Sequence, residues 1–198
     1  DHSVVAWPDE APTWNMASVG RFYTGHKGQD VLLEALSDPI WRQRNWKLRL
    51  FGSGEEKAYI ESLIPYFGLS DHVEIGGHVP DVRAIWKNHH LMLMPSRVEG
   101  TPLALVEAML CGRAALVTDI AGHLEWIDEG ETGFVAEAPS AHSLHRALER
   151  AWENRQHWRE MGLAAHEAAE RNYDPHAGKT MLQIVKNAAQ TPPTEARL

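Results

Sequence analysis

The sequence runs to 198 residues, 43% apolar and 23% charged, with a formal net charge of −8. That length suits one sizeable domain with a full hydrophobic core. The excess of carboxylates excludes a protein built to coat nucleic acid, and the single cysteine, Cys111, excludes an intrachain disulfide and fits a reducing compartment.

Residues 1–13 open without the basic-then-apolar order of a secretory signal. Trp7, Pro8, Pro12 and the adjacent Trp14 give this stretch the character of a linker from a preceding domain, and the two tryptophans are expected to pack against sequence lying before it. Residues 15–20 read as a strand ending in a Gly-Arg turn. Residues 28–36 read as a helix, with Val31, Leu32, Ala35 and Leu36 at helical spacing. Residues 47–51 form a strand followed by Gly52-Ser53-Gly54. A helix over 55–67 stops at Gly68. A short strand over 73–75 precedes Gly76-Gly77, a helix spans 81–88, and 91–94 is a buried strand. Residues 102–111 make an almost wholly apolar helix stopped by Gly112. Strands follow at 114–118 and 133–136. Beyond about residue 140 the pattern is purely helical: 141–153, 156–171 and 175–189, with a disordered tail over 191–198. No apolar run reaches the length of a membrane span, so any membrane contact is peripheral.

Strand–helix alternation with continuous apolar strands predicts a doubly wound, Rossmann-like α/β domain: a parallel sheet covered on both faces, with a helical C-terminal extension. In such sheets ligands bind beyond the carboxyl ends of the strands, the edge where the Gly-rich and charged loops of this chain collect.

Two constellations on that edge can carry chemistry. In VGRFYTGHKGQD, Gly20 and Arg21 leave the first strand and Lys27 precedes a helix start. Helix-terminal N–H groups and two cations favour an anion. The residues alone leave two readings, a diphosphate clamp or two solvated surface cations. In PSRVEGTPLALVEAML, Glu99 and Glu107 are separated by seven residues. Glu107 is the only charge in its apolar helix, which is costly unless something pairs with it. Ribose hydroxyls suit an ionised carboxylate, and Gly100 and Thr101 open the helix with backbone N–H donors for an oxygen-rich ligand. The other reading has Glu107 paired with Arg113 and Glu99 serving as a cap.

Taken together these stretches resemble the C-terminal domain of glycosyltransferase family 4, one half of the GT-B fold, from about Ala17 to Tyr173. The matches are VGR followed by KG, the FGSG…EIGGHVPDV section, the E-x7-E pair from Glu99 to Glu107, and TDIAGHLEWIDEGETGFVAE. The resemblance implies that Arg21 and Lys27 hold the diphosphate of a UDP- or GDP-linked sugar. It places Glu99 against the transferred sugar and Gly100, Thr101 and Pro102 beneath sugar and phosphate. Glu107 would bind the ribose, and Gly77, His78 and Val79 would face the base. It also implies retaining, metal-independent transfer to an acceptor held by a further N-terminal domain, with the 174–190 segment crossing back to it. Placement is then cytoplasmic, at the supply of nucleotide sugars, with membrane contact left to the N-terminal domain. Departures are Tyr23–His26 before Lys27 and Ala121-Gly122-His123 in place of a Gly-Gly turn, which brings His123 toward sugar or phosphate. Glu125 matches a recurrent family glutamate. A sugar-nucleotide epimerase and a non-catalytic binding module are the alternative readings.

Other signals are set aside. Among the twelve histidines, His89-His90 and His142/His145 have no carboxylate or cysteine partner set, so no metal is expected. Gly52-Ser53-Gly54 lacks the third glycine of the dinucleotide fingerprint, Lys57 standing there, though a phosphate role for the turn stays open.

Overall fold

The computed structural model describes residues 3–8, 12–120, 122–174 and 176–190. Six strands form one parallel sheet: β1 (Trp14–Val19), β2 (Trp46–Phe51), β3 (Val73–Gly77), β4 (Leu91–Met94), β5 (Ala114–Thr118) and β6 (Gly133–Ala136). Their spatial order is β3-β2-β1-β4-β5-β6, the two-halved Rossmann order, with its topological switch between β1 and β4. β1 runs beside β2 from Trp14↔Trp46 to Val19↔Phe51, and meets β4 at Met16↔Leu91.

The sequence of each strand explains its place. Every residue of β4 (LMLM) and β5 (AALVT) is buried, as expected for central strands covered on both faces. In β2, Lys47 and Arg49 alternate with buried Trp46, Leu48 and Leu50, because the sheet is open to water on one side there. Alternation sorts side chains into two cores. Met16, Leu48, Leu50, Leu91, Leu93 and Leu116 face α2 (Gln29–Leu36), α3 (Lys57–Tyr66) and α6 (Ala141–Glu153). Ala17, Met92, Met94, Ala115 and Val117 face α4 (Val82–Trp86), α5 (Leu103–Leu110) and α7 (Trp158–Asn172).

The predicted elements all occur, with trimmed ends. β3 runs on through Gly77, α3 starts two residues late, and α4 is shorter than 81–88. Three short helices escaped the periodicity: α1 (Thr24–Lys27) and the 3-10 turns over Trp41–Gln43 and His123–Glu125, each too brief to show a helical apolar repeat.

The two tryptophans expected to face preceding sequence pack instead on this domain. Trp7 and Trp14 each sit 5.3 Å, ring to ring, from His90, and Trp14 meets Trp158 at 5.2 Å. The segment bearing Trp7 is tied down by Arg113. Its guanidinium is fully buried and donates to the carbonyls of Val5, Ala6, Trp86, His89, Cys111 and Gly112. The final helix, α8 (Ala177–Gln190), holds Met181, Leu182, Ile184 and Val185 each more than half exposed. Its expected Asp-Pro start includes Pro175, and the expected disordered tail is 191–198; both lie outside the described residues. Among the described residues no helix is long and apolar enough to cross a membrane.

Candidate functional site

The carboxyl ends of β1, β2 and β3 are clasped together by backbone. Gly20 N–H donates to Phe51 O, Gly52 N–H to Gly77 O, and Phe22 N–H to Ser53 O, at 2.8–3.0 Å. Gly52 has φ 140°, and a Cβ there would lie 1.9 Å from Gly20 O. Only glycine permits this approach. The buried Phe22 ring anchors the loop beneath, and Gln29 Nε2 donates to Arg21 O at 2.8 Å. The loop after β1 is therefore a fixed ledge.

α1 sits on that ledge. Glu56 caps it by accepting from Thr24 N–H at 2.6 Å. Arg97 locks it from the opposite side, donating to Thr24 O and, through both terminal nitrogens, to Asp30. Gly28 ends α1 at φ 64°, where a Cβ would lie 2.0 Å from Pro95 O. That contact brings Lys27 over the loop following β4. There Lys27 Nζ meets Glu99 Oε1 at 2.5 Å, and Ser96 Oγ donates to the same oxygen at 2.7 Å. The Glu99 side chain is nearly buried, whereas Lys27 keeps part of its surface in water. Glu99 is thus an ion-pair partner, not a helix cap.

Arg21 stands on the same ledge but turns toward Glu55, Nη2 to Oε1 2.7 Å, with both side chains mostly exposed. Beside it opens a cleft of about 620 Å³ lined by Gly20, Arg21, Gly52–Glu55, His78, Val79 and Glu107, with Val82 and Ile85 as apolar wall. Glu107 reaches this cleft from α5. The apolar surroundings desolvate its carboxyl and push its pKa up. The alternative partner, Arg113, is wholly engaged with backbone carbonyls, so the two do not pair.

Part of the predicted set therefore gathers beyond the carboxyl ends of the strands. Gly20, Arg21, His78, Val79 and Glu107 line the cleft, while Lys27, paired with Glu99, lines a neighbouring pocket that shares Arg21 and Glu55 with it. Gly77 does not line the cleft; its carbonyl is spent on Gly52 N–H. Gly100, Thr101 and Pro102 lie outside the cleft lining, immediately before α5, and Gly100 packs against the next loop: a Cβ on Gly122 would lie 3.0 Å from Gly100 O. His123 is fully buried and Glu125 exposed, in a 3-10 turn over His123–Glu125. Sequence reasoning missed Glu55, Glu56, Ser96 and Arg97, which aim the clamp. Polar residues of this kind follow no periodicity, and only their position next to Gly-rich turns hinted at them. His89 and His90 have structural partners: His89 Nδ1 meets Ile85 O and His90 Nδ1 accepts from Asn15 N–H.

Comparison with known proteins places this geometry. The chain is 32% identical over 127 residues to the lipopolysaccharide core biosynthesis mannosyltransferase LpcC of Rhizobium leguminosarum bv. viciae, covering 62% of this chain and 36% of that protein. It is 32% identical over 147 residues to an exopolysaccharide phosphotransferase of Streptomyces coelicolor, covering 73% of this chain but 16% of the other. The chain thus spans well under half the length of these relatives. Among solved structures, TarM superposes with a TM-score of 0.79 at 19% identity, over 94% of this chain and 37% of that one. HepE of Anabaena, solved with UDP and glucose, gives 0.75 at 22%, over 91% and 49%. These likenesses show the fold, one half of a GT-B architecture. With a family model matching residues 9–168, the chain belongs to the group 1 glycosyl transferases.

Proposed function

We propose that this chain is the C-terminal, donor-binding domain of a retaining family 4 glycosyltransferase that takes its sugar from a UDP- or GDP-linked donor without a metal. The observation that carries this reading is the placing of Arg21 and Glu107 in one cleft beyond the carboxyl ends of the strands, with Lys27, paired with Glu99, in the pocket beside it that Arg21 also lines. HepE, of the same fold, was solved with UDP and glucose.

Transfer breaks the bond between the anomeric carbon and the diphosphate. Negative charge grows on the departing diphosphate, where Lys27 and Arg21 stabilise it as preorganised cations. Positive charge grows on the sugar, and the Glu99 carboxylate, already fixed by Lys27 and Ser96, balances it and orients hydroxyls. Glu107 accepts from the ribose hydroxyls, a partner its ionised form otherwise lacks. His78 and Val79 flank the base. The acceptor belongs to the further domain that makes up the rest of the longer relatives, and the apolar row of α8 packs on that domain. The donor supply puts the enzyme in the cytoplasm, with membrane contact confined to the other domain.

Calorimetric titration of the 198-residue chain with UDP, GDP and ADP tests this. Saturable binding of one nucleotide, weakened about tenfold by Lys27→Ala and by Glu107→Ala, is expected, each loss matching about 1.4 kcal/mol. A folded chain that binds none of the three overturns the reading.

A further inference from the structure

His123 lies in the turn after β5 and is fully buried. Its Nδ1 sits 2.8 Å from the carbonyl oxygen of Thr118. A carbonyl only accepts, so Nδ1 carries the proton. Burial holds the ring's pKa down, and the ring is neutral near neutral pH. A neutral imidazole with its proton on Nδ1 presents a bare lone pair at Nε2. That atom is buried and meets no hydrogen-bond donor among the described residues. An unmet buried acceptor is destabilising, and an apolar side chain of the same size would avoid that loss.

The ring is joined to the site by a chain of hydrogen bonds. Thr118, whose carbonyl accepts the hydrogen bond from Nδ1–H, donates through Oγ1 to Ser96 O at 2.5 Å. Ser96 donates to Glu99, and Glu99 holds Lys27. The charges of Glu99 and Lys27 both act on the ring. Gly122, at φ 82°, packs against Gly100 O, so the 122–125 turn and the 99–102 loop form one wall.

We propose that His123 is a specificity-determining residue, its Nε2 accepting a hydrogen bond from a hydroxyl of the transferred glycosyl group. This rests on the donor reading above. The sugar then lies between two acceptors of this chain, Glu99 and His123, and must present a free hydroxyl to each. Because the ring is buried in the free chain, the hydroxyl reaches Nε2 only with a shift of the 122–125 turn, and Gly122 is the residue of that turn best able to change backbone angles. A donor deoxygenated at that position leaves Nε2 unmet and binds about tenfold more weakly.

The test is imidazole nitrogen NMR on the 15N-labelled chain, with backbone amides of Gly20, Arg21 and His78 recorded in the same samples. UDP, GDP, UDP-glucose, UDP-N-acetylglucosamine and GDP-mannose are added in turn. The free chain is expected to show Nδ1 protonated and Nε2 unprotonated and free of hydrogen bonding. UDP or GDP should move the amides and leave Nε2 in place, and a sugar nucleotide of the same base should shift Nε2 toward the hydrogen-bonded position. An Nε2 already hydrogen-bonded in the free chain, as with a trapped water, overturns the proposal. So does an Nε2 that no sugar nucleotide moves while the amides respond, which leaves the donor reading standing. Amides that respond to no ligand overturn both.

Discussion

Lys27 and Glu99, 72 residues apart in sequence, meet as an ion pair with Nζ 2.5 Å from Oε1. In the proposed donor site the clamp cation is therefore neutralised before a diphosphate arrives, and the ligand must compete with a nearly buried carboxylate. Glu99→Gln removes that competitor while keeping the shape. UDP or GDP, whichever the wild type binds, should bind this variant at least as tightly, while Lys27→Ala binds about tenfold more weakly. Calorimetry on the two variants side by side reads the difference. A Glu99→Gln chain that loses nucleotide binding as Lys27→Ala does shows the pair to be structural.

Arg21 is restrained differently. Its partner Glu55 is exposed, and so is Arg21 itself, so the pair adds little to stability. Glu55→Ala should leave the melting temperature within about 1 °C or 2 °C of wild type, consistent with an effect below about 0.5 kcal/mol, and tighten the bound nucleotide a few-fold. Thermal melts and titration of the same sample check both halves.

Glu107 supplies a pH signature. Its folded-state pKa is raised by desolvation in the cleft. A raised pKa means the folded chain favours the protonated carboxyl, so this group's contribution is fully present below the unfolded pKa and is lost as pH rises through the folded one. Free of ligand, Glu107→Gln should melt higher than wild type at pH 7, with the gap closing as the pH falls below the ordinary glutamate range. In saturating nucleotide the order at pH 7 reverses.

The histidines beneath the sheet act in the opposite sense. Burial lowers the pKa of His90 to about 4, and lowers that of His89 and His123 as well. These rings fold neutral, so stability is full above the unfolded value near 6.5 and declines as pH falls from there toward 4. Urea denaturation from pH 7 to pH 4.5 should show this decline, and His90→Asn should remove a share of roughly 2 kcal/mol from it. An unchanged slope in the variant shows that His90 does not titrate between the two states.

Among the described residues Arg113 has no carboxylate partner, yet six backbone carbonyls share its guanidinium. Burial brings its pKa down to about 10, still well above neutral. Arg113→Met should cost about 3–5 kcal/mol in urea unfolding, because several buried acceptors lose their donor at once. Limited proteolysis should then cut first within residues 3–8, which Arg113 and the Val5–Cys111 bond hold down.

The parallel sheet was legible because β4 and β5 are continuous apolar runs between amphipathic helices, a pattern with few other structural solutions. The positions of Arg21, Lys27, Glu99 and Glu107 were legible because the loops after parallel strands share one edge. What stayed hidden was which charge faces which. Nothing in the spacing of Lys27 and Glu99 distinguishes an ion pair from two separate contacts, and nothing in Gly54-Glu55 announces that Glu55 would turn back on Arg21. His123 was noticed as a departure from a Gly-Gly turn, but its buried state and its unmet nitrogen depend on Thr118 and on packing around Gly122, which are matters of three-dimensional closure. Trp7 was misplaced for a related reason: a Pro-rich start looks like a linker until Arg113, more than a hundred residues later, supplies its anchor.

The two glycine contacts that fix the ledge, Gly28 on Pro95 O and Gly52 on Gly20 O, bear on how such a chain can diversify. Any side chain at either position collides with backbone, so the floor of the ledge has no neighbouring variants to explore. The walls are freer: His78, Val79 and Glu55 line the cleft with side chains, and the 122–125 turn contributes His123. A change of base or sugar preference must therefore be sought at those rim positions, and a library that spares the two glycines while varying the rim is the one in which folded chains with new donors will be found.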